Sequence, residues 1–351
     1  MSDQILVFGD LHLKYWNKFQ IQAQINCVMN TWSQYCPKHT VFLGDVFEDR
    51  KPDPKTIREV FRMFWDLEQV LSENNSYCYI IRGNHDTDSK TNNTSEMCSV
   101  LEVIAKTSSN IIFIKDMDDV YFNHDLKGRM IAHFEDEQLI KDRLAKPKTP
   151  DLIFGHFGFD GCLHRETYDF SISLEEFKAT TILGHIHKHE SYKTTEGVDV
   201  HLLGTPYSVS WHDKHSDYYI ALIDGDGEIE FHKTKDGVRH VTINDYEIDD
   251  WMKKASKDHF YCVRVMLDPL NEKQYEVSIE KLKAKFNEKR ATIDFRFRPI
   301  VTKKREEMFT VEDPTDYLSE EVLSEYIKAT GTELDKDDLM RVLKEITKNE
   351  D

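Results

Sequence analysis

Residues 5–12 read Ile5-Leu6-Val7-Phe8-Gly9-Asp10-Leu11-His12: four apolar residues, a glycine, then a carboxylate and an imidazole one residue apart. The apolar run has the length and composition of a buried strand, and the glycine that ends it lets the backbone turn tightly. The same order recurs along the chain. Residues 40–43 run into Gly44-Asp45-Val46-Phe47, and residues 77–81 lead to Gly83-Asn84-His85-Asp86. Residues 152–154 end in Gly155-His156, and residues 181–183 end in Gly184-His185-Ile186-His187. Further short apolar runs lie at 111–114 and 129–133. Between the runs are helical patterns, the clearest at 54–74, where Ile57, Val60, Phe61, Phe64 and Leu67 recur at three- and four-residue steps behind Pro54. This alternation predicts an α/β domain whose polar turns gather at the carboxyl ends of its strands.

The chain has 351 residues, 39% of them hydrophobic, which is enough for a packed interior and too long for one ordinary core. A catalytic domain with smaller additions is expected. No run of eighteen or more apolar residues occurs, and no basic leader precedes the first strand, so a soluble cytoplasmic protein with no membrane partner is predicted. The six cysteines are scattered without a C-x-x-C pair, which signals neither a thiolate zinc site nor a disulfide framework. A formal charge of -18 argues against a broad basic face for nucleic acid. It leaves a DNA substrate open, because bound cations or a basic partner can offset the charge.

From residue 201 the pattern becomes strand-rich, with 218–223 and 229–232 flanking Asp224-Gly225-Asp226-Gly227, a hairpin signal. We expect a second sheet here, closing a catalytic domain over residues 1–237. A small α+β domain follows at 238–302, with strand-like 260–267 and 292–297 and helix-like 278–287. Residues 303–313 read as a charged linker and 314–351 as two short helices. Leu318, Val322, Leu323, Tyr326 and Ile327 stripe the first before Gly331; Leu339, Val342, Leu343 and Ile346 stripe the second.

Brought to one rim, the five turns supply two aspartates, an asparagine and at least four histidines. A lone Asp-x-His is ordinarily a surface turn, and a lone Gly-Asn-His-Asp is credible as one. Gly-His-x-His is sharper, since alternate residues of an extended segment face the same way. All five in order, each following an apolar strand, point to a shared site. Imidazole mixed with hard oxygen suits a pair of divalent transition metals better than calcium or structural zinc, with manganese the first choice. Two such ions imply phosphate-ester hydrolysis.

These turns resemble the signature of the calcineurin-like metallophosphoesterases, D-x-H, G-D, G-N-H-D/E, G-H and G-H-x-H, over roughly residues 3–233. The resemblance implies an α/β fold: a β-sandwich flanked by helices, with a small α+β capping domain that would recognise DNA and with C-terminal helices. It implies one metal held by Asp10, His12, Asp45 and His187 and a second by Asp45, Asn84, His156 and His185, so that Asp45 bridges. His85 matches a histidine that does not coordinate but stabilises developing charge or protonates the leaving oxygen. Serine/threonine phosphatases carry G-D-x-x-D-R-G and then G-N-H-E; this chain reads Gly44-Asp45-Val46-Phe47-Glu48-Asp49-Arg50-Lys51 and closes the later motif with Asp86. Gly-Asp-Val-Phe before an Arg-Lys-Pro stretch is similar instead to the SbcD-type nucleases, the meiotic-recombination-eleven family. Leu203-Gly204-Thr205-Pro206-Tyr207 resembles a turn that these and their bacteriophage counterparts carry.

That closer resemblance implies a manganese-dependent DNA exonuclease and endonuclease serving DNA repair and recombination, in the host cytoplasm if phage-encoded. Its partner would be an SbcC-type coiled-coil ATPase, two chains of each forming a heterotetramer around a nuclease homodimer, with the terminal helices as tether. A small-molecule or cyclic-nucleotide phosphodiesterase, or an adaptor without catalysis, are the alternatives. Tyr207 and Trp211 are candidates for stacking on substrate, against a plain packing role. His189 is expected on an exposed loop and His133 as a satisfied core or rim residue.

Overall fold

The computed structural model describes residues 3–87, 100–162, 170–211, 217–256, 258–267 and 291–297. Its first half runs β1 (Ile5–Phe8), α1 (Lys18–Tyr35), β2 (His39–Phe42), α2 (Pro54–Asn74), β3 (Tyr77–Ile81), α3 (Val100–Lys106), β4 (Ile111–Ile114), β5 (Met117–Tyr121), β6 (Lys127–Ile131), α4 (Glu137–Leu144) and β7 (Leu152–His156). Then come β8 (Thr180–Gly184), β9 (Glu190–Lys193), β10 (Asp199–Leu202), β11 (Tyr219–Ile223), β12 (Ile229–Lys233), β13 (Gly237–Asn244), α5 (Ile248–Lys254), β14 (His259–Leu267) and β15 (Ala291–Phe297). Two six-stranded sheets, ordered β12-β11-β1-β2-β3-β4 and β5-β6-β7-β8-β10-β9, form a sandwich.

Period-two alternation decides what each face of the first sheet covers. Ile5, Val7, Val41, Leu43, Tyr79 and Ile81 share a core with Ile153, Ile182 and Leu202 of the opposite sheet. Their neighbours Leu6, Phe8, Phe42, Cys78 and Ile80 pack instead with Val28 and Trp32 of α1, Val60, Phe64 and Leu67 of α2 and Leu101 of α3. The strands are therefore buried on both faces, which is why they read as continuous apolar runs.

One expectation is corrected. The hairpin β11–β12 does not begin a second sheet; β11 pairs antiparallel with β1 and extends the first. Its residues 220–223 are all buried, as a strand with neighbours on both sides requires. The second sheet is built earlier, by β5 to β10.

Helix α2 begins where the sequence says it should. Asp53 caps it, its carboxylate accepting from Lys55 N at 2.8 Å and Thr56 N at 3.2 Å, worth about 1 kcal/mol, with Pro54 in the first turn. Its buried stripe is Val60, Met63, Phe64, Leu67 and Leu71, rotated from the expected one so that Phe61 lies exposed. Asn17 caps α1 in the same manner, accepting from Phe19 N and Gln20 N at 2.9 Å.

The small third sheet is parallel, ordered β13-β14-β15. Val238, Phe260 and Cys262 on one face pack with Phe19, Ala23 and Trp211, while Ile243, Val263 and Val265 pack with Ile248 and Trp251 of α5. The helix expected at 278–287, the linker at 303–313 and the helices at 314–351 lie outside the described residues. Among the described residues no helix is long and apolar enough to cross a membrane, and Cys27, Cys36, Cys78, Cys162 and Cys262 carry free thiols.

Candidate metal centre

The sandwich brings five strand ends together. Adjacent β1, β2 and β3 deliver Asp10 and His12, Asp45, and Asn84 and His85; adjacent β7 and β8 of the other sheet deliver His156 and, beyond Gly184, His185 and His187. Three of these residues sit in the left-handed region without being glycine: His12 at φ 44°, Asp45 at 46° and His185 at 79°. Each costs on the order of 1–3 kcal/mol, strain that surrounding contacts must hold in place and that concentrates at functional sites.

Close backbone approach makes the arrangement possible. A Cβ at Gly83 would come within 2.1 Å of Asp45 Oδ1, so only glycine leaves room for that carboxylate. A Cβ at Gly9 would fall 1.7 Å from the Gly204 carbonyl oxygen, which places the Gly204-Thr205-Pro206 turn directly against the first metal-binding turn. Thr205 N then donates to the His187 carbonyl at 3.2 Å.

Asp45 is the centre of the group. Its Oδ1 accepts from His85 N at 2.8 Å, and its Oδ2 lies 3.4 Å from His156 Nε2 and 3.7 Å from His12 Nε2. One oxygen thus faces an imidazole from each sheet. Asp45, His156 and His185 offer donor atoms within 4.8 Å of one another. Asn84 Oδ1 lies 2.9 Å from His156 Nε2 and 3.0 Å from His185 Nδ1. His187 completes the other side, its ring centroid 4.7 Å from that of His12.

The hydrogen bonding shows what this donor set needs. His156 Nδ1 lies 2.9 Å from the Leu43 carbonyl, which can only accept, so Nδ1 carries a hydrogen. In the neutral ring Nε2 is then a lone pair, directed at the Asn84 and Asp45 oxygens. Acceptors facing acceptors require a proton or a cation between them. Asp10 accepts at Oδ1 from His185 N at 3.0 Å, but its buried Oδ2 has no hydrogen-bond partner, nor has His12 Nε2. Such orphaned buried atoms are costly unless something fills the space.

Electrostatics agree. Burial opposes a charge on His156, yet Asp45, Asp10 and Asp86 raise its pKa to about 9. Burial likewise opposes protonation of His12, which its hydrogen bond with Glu48 and the charges of Asp45 and Asp10 raise to about 9. Against the cost of burial, His156 and His12 hold Asp45 well below the usual carboxylate range. A field that draws protons so firmly draws divalent cations for the same reason, and the donors fit a metal pair.

Three neighbours add support that sequence reasoning did not assign. Glu48 places its carboxylate 3.0 Å from His12 Nδ1, an ion-pair contact that would orient the ring as a ligand, and its backbone carbonyl accepts from His85 Nδ1. Asp86 accepts from Gly83 N at 3.0 Å and Phe47 N at 3.2 Å, tying the second and third turns together; burial and the nearby Asp45 push its pKa up to about 7. His133 stacks on His185 with centroids 5.5 Å apart, its Nδ1 3.2 Å from the His156 carbonyl. Burial and the charge of His156 lower its pKa to about 4, keeping it neutral.

Of the remaining candidates, the two aromatic residues take the packing role and the reading of His189 is corrected. Tyr207 is fully buried, its hydroxyl donating to the Leu11 carbonyl at 2.7 Å, so its ring braces the first turn rather than offering a stacking face. Trp211 is packed between His240 and Arg264, with the guanidinium 4.0 Å from the ring centroid. His189 is not on an exposed loop. It is half-buried, with Tyr219 and Phe231 at ring distances of 4.6 and 4.5 Å.

A family profile described as calcineurin-like phosphoesterase matches residues 4–189, more than half of the chain and every residue of the centre. The chain belongs to the calcineurin-like phosphoesterase family. This calcineurin-like phosphoesterase is thereby placed among metal-dependent hydrolases of phosphate esters. Solved structures similar to it include a dimetal phosphatase from Danio rerio, 11% identical, covering 66% of this chain and 99% of that one with a TM-score of 0.37. Another is nuclease MPE from Pseudomonas putida, 14% identical, covering 65% and 87% with a TM-score of 0.30. No match was found among curated protein sequences.

Proposed function

We propose that the protein is a manganese-dependent DNA nuclease of the SbcD type. The observation that carries this reading is the placement of Asp45 Oδ2 between His12 and His156, with Asp10, Asn84, His185 and His187 completing two donor groups around it. These residues would hold a pair of divalent ions, which would supply positive charge for a phosphoryl group and lower the pKa of a water. The chain's own contribution is orientation. Leu43 and Glu48 fix the rings of His156 and His12, and the Glu48 carbonyl holds the Nδ1 hydrogen of His85 so that Nε2 is the atom left to hold or release a proton. Glu48 thus gives its carboxylate to His12 and only its main chain to His85.

The four imidazoles favour manganese over magnesium, which prefers oxygen ligands and keeps much of its water. Purified protein with labelled linear DNA and, separately, a small phosphodiester is expected to cleave both with manganese and to do little with magnesium. Hydrolysis of the small ester alone, even with the ATPase partner added, would refute the nuclease reading. Equal rates with both ions would mean that fewer histidines coordinate than the reading requires.

The partner in this proposal is an SbcC-type coiled-coil ATPase, reached through the amphipathic stripes at residues 314–351, which suit a helix-in-groove contact. Deleting 314–351 is expected to leave manganese-dependent cleavage of simple ends intact and to abolish co-purification with the ATPase. Retained binding by the truncated protein would place the contact elsewhere.

A further inference from the structure

The loop that follows the first metal-binding turn presents an aromatic ring that the hydrolytic chemistry does not use. Trp16, four residues beyond His12, is 64% exposed. Such a ring on a slack loop would mean little, since single exposed hydrophobic residues are common. This loop is tied at each step. Leu13 forms a parallel bridge with Phe47, its amide donating to the Val46 carbonyl at 2.8 Å. Tyr15 N donates to Thr56 Oγ1 at 2.9 Å, Trp16 N to the Lys14 carbonyl at 3.0 Å, and Asn17 caps α1. The Lys14 ammonium lies over the indole, 4.4 Å from the ring centroid, and is gripped by Asp49 at 2.8 Å. Backbone and cation are fixed, and the ring keeps a face open to solvent beside the one that Lys14 covers.

The position matters as much as the rigidity. Asp49 follows Glu48, whose carboxylate is on His12, and Glu48 N donates to the Leu13 carbonyl at 3.3 Å. The indole is thereby tied to the metal centre at both ends of a short path, through the chain to His12 and through Lys14 and Asp49 to Glu48.

We propose that Trp16 is a stacking platform for the nucleobase adjoining the scissile phosphodiester of a single-stranded or frayed DNA end, with Lys14 and Asp49 holding the ring in place. The proposal rests on the nuclease reading above. A base stacks on an aromatic face whatever its identity, so the platform would locate the strand without selecting sequence.

The test uses the full-length protein with manganese and two short single-stranded oligonucleotides, identical except that one carries abasic residues around the cleavage position. In the wild type the normal strand is expected to bind roughly 5- to 100-fold more tightly than the abasic one, the range for loss of one stacked base. In Trp16→Ala that ratio should collapse to near one, and Trp16→Phe should restore most of it. A Trp16→Ala protein that still prefers the normal strand as the wild type does would overturn the proposal. So would a Trp16→Ala loss that is equal on both strands, since that reports general damage and not stacking. A wild type that cleaves a small phosphodiester but neither oligonucleotide would remove the nuclease reading, and the platform with it.

Discussion

Asp45→Ala is expected to abolish turnover and to weaken both metal sites at once. The reason is geometric: Oδ2 faces His12 on one side and His156 on the other, so a single carboxylate serves both donor groups. Each ion is asked to supply several kcal/mol of charge stabilisation, so losing the pair should slow hydrolysis by about a thousandfold or more. The substitution also removes the acceptor of the His85 amide and puts alanine at φ 46°. Asp45→Asn separates these effects, since asparagine tolerates the left-handed region and keeps an oxygen for His85 N. Calorimetric titration with manganese checks both variants. Two undiminished binding events in either would remove Asp45 from the bridging role.

How legible this centre was depends on the distance over which each residue acts. The five turns, which the fold brings together, could be read because each signal is local: an apolar strand, a glycine, then a carboxylate, amide or imidazole. Helix α2 is legible from Pro54 and a clear stripe, although Phe61, at the same spacing, faces solvent. Helix α1 gave no such stripe, because two of its buried positions are Gln20 and Gln24, the second donating to the His12 carbonyl at 3.4 Å. Strands β5 and β9 are edge strands with polar, largely open sequences, and nothing in Met-Asp-Asp-Val-Tyr or Glu-Ser-Tyr-Lys announces a sheet.

The supporting residues were hidden for a different reason. Asp86 and Glu48 act through partners brought in by folding, and no spacing in the sequence shows that a carboxylate will meet Gly83 N, Phe47 N or His12 Nδ1. Tyr207 is ambiguous in sequence for the converse reason. An aromatic residue after a glycine-proline turn looks available, and only the packing shows its hydroxyl inside, on Leu11. Motif reading finds side chains that face the reaction, while those that hold them in place must be found in three dimensions.

His85→Gln is expected to separate the proton-handling role proposed for His85 from metal binding. The contact between His85 and Asp45 is made by the His85 main-chain amide, so any side chain at this position keeps Asp45 oriented. The imidazole itself donates Nδ1–H to the Glu48 carbonyl and stands edge-on to His12, with centroids 5.1 Å apart. That leaves Nε2 to stabilise developing charge or to protonate the leaving oxygen, a task no side chain fixed on a metal could perform. Metal content should therefore remain near two ions per chain while the chemical step slows by roughly a hundredfold or more, the range for a lost general acid or charge-stabilising donor. Single-turnover rates at saturating manganese, with metal counted on the same samples, provide the measurement. A His85→Gln protein that has lost an ion would make His85 a ligand, and one that turns over at the wild-type rate would leave the proton to some other group.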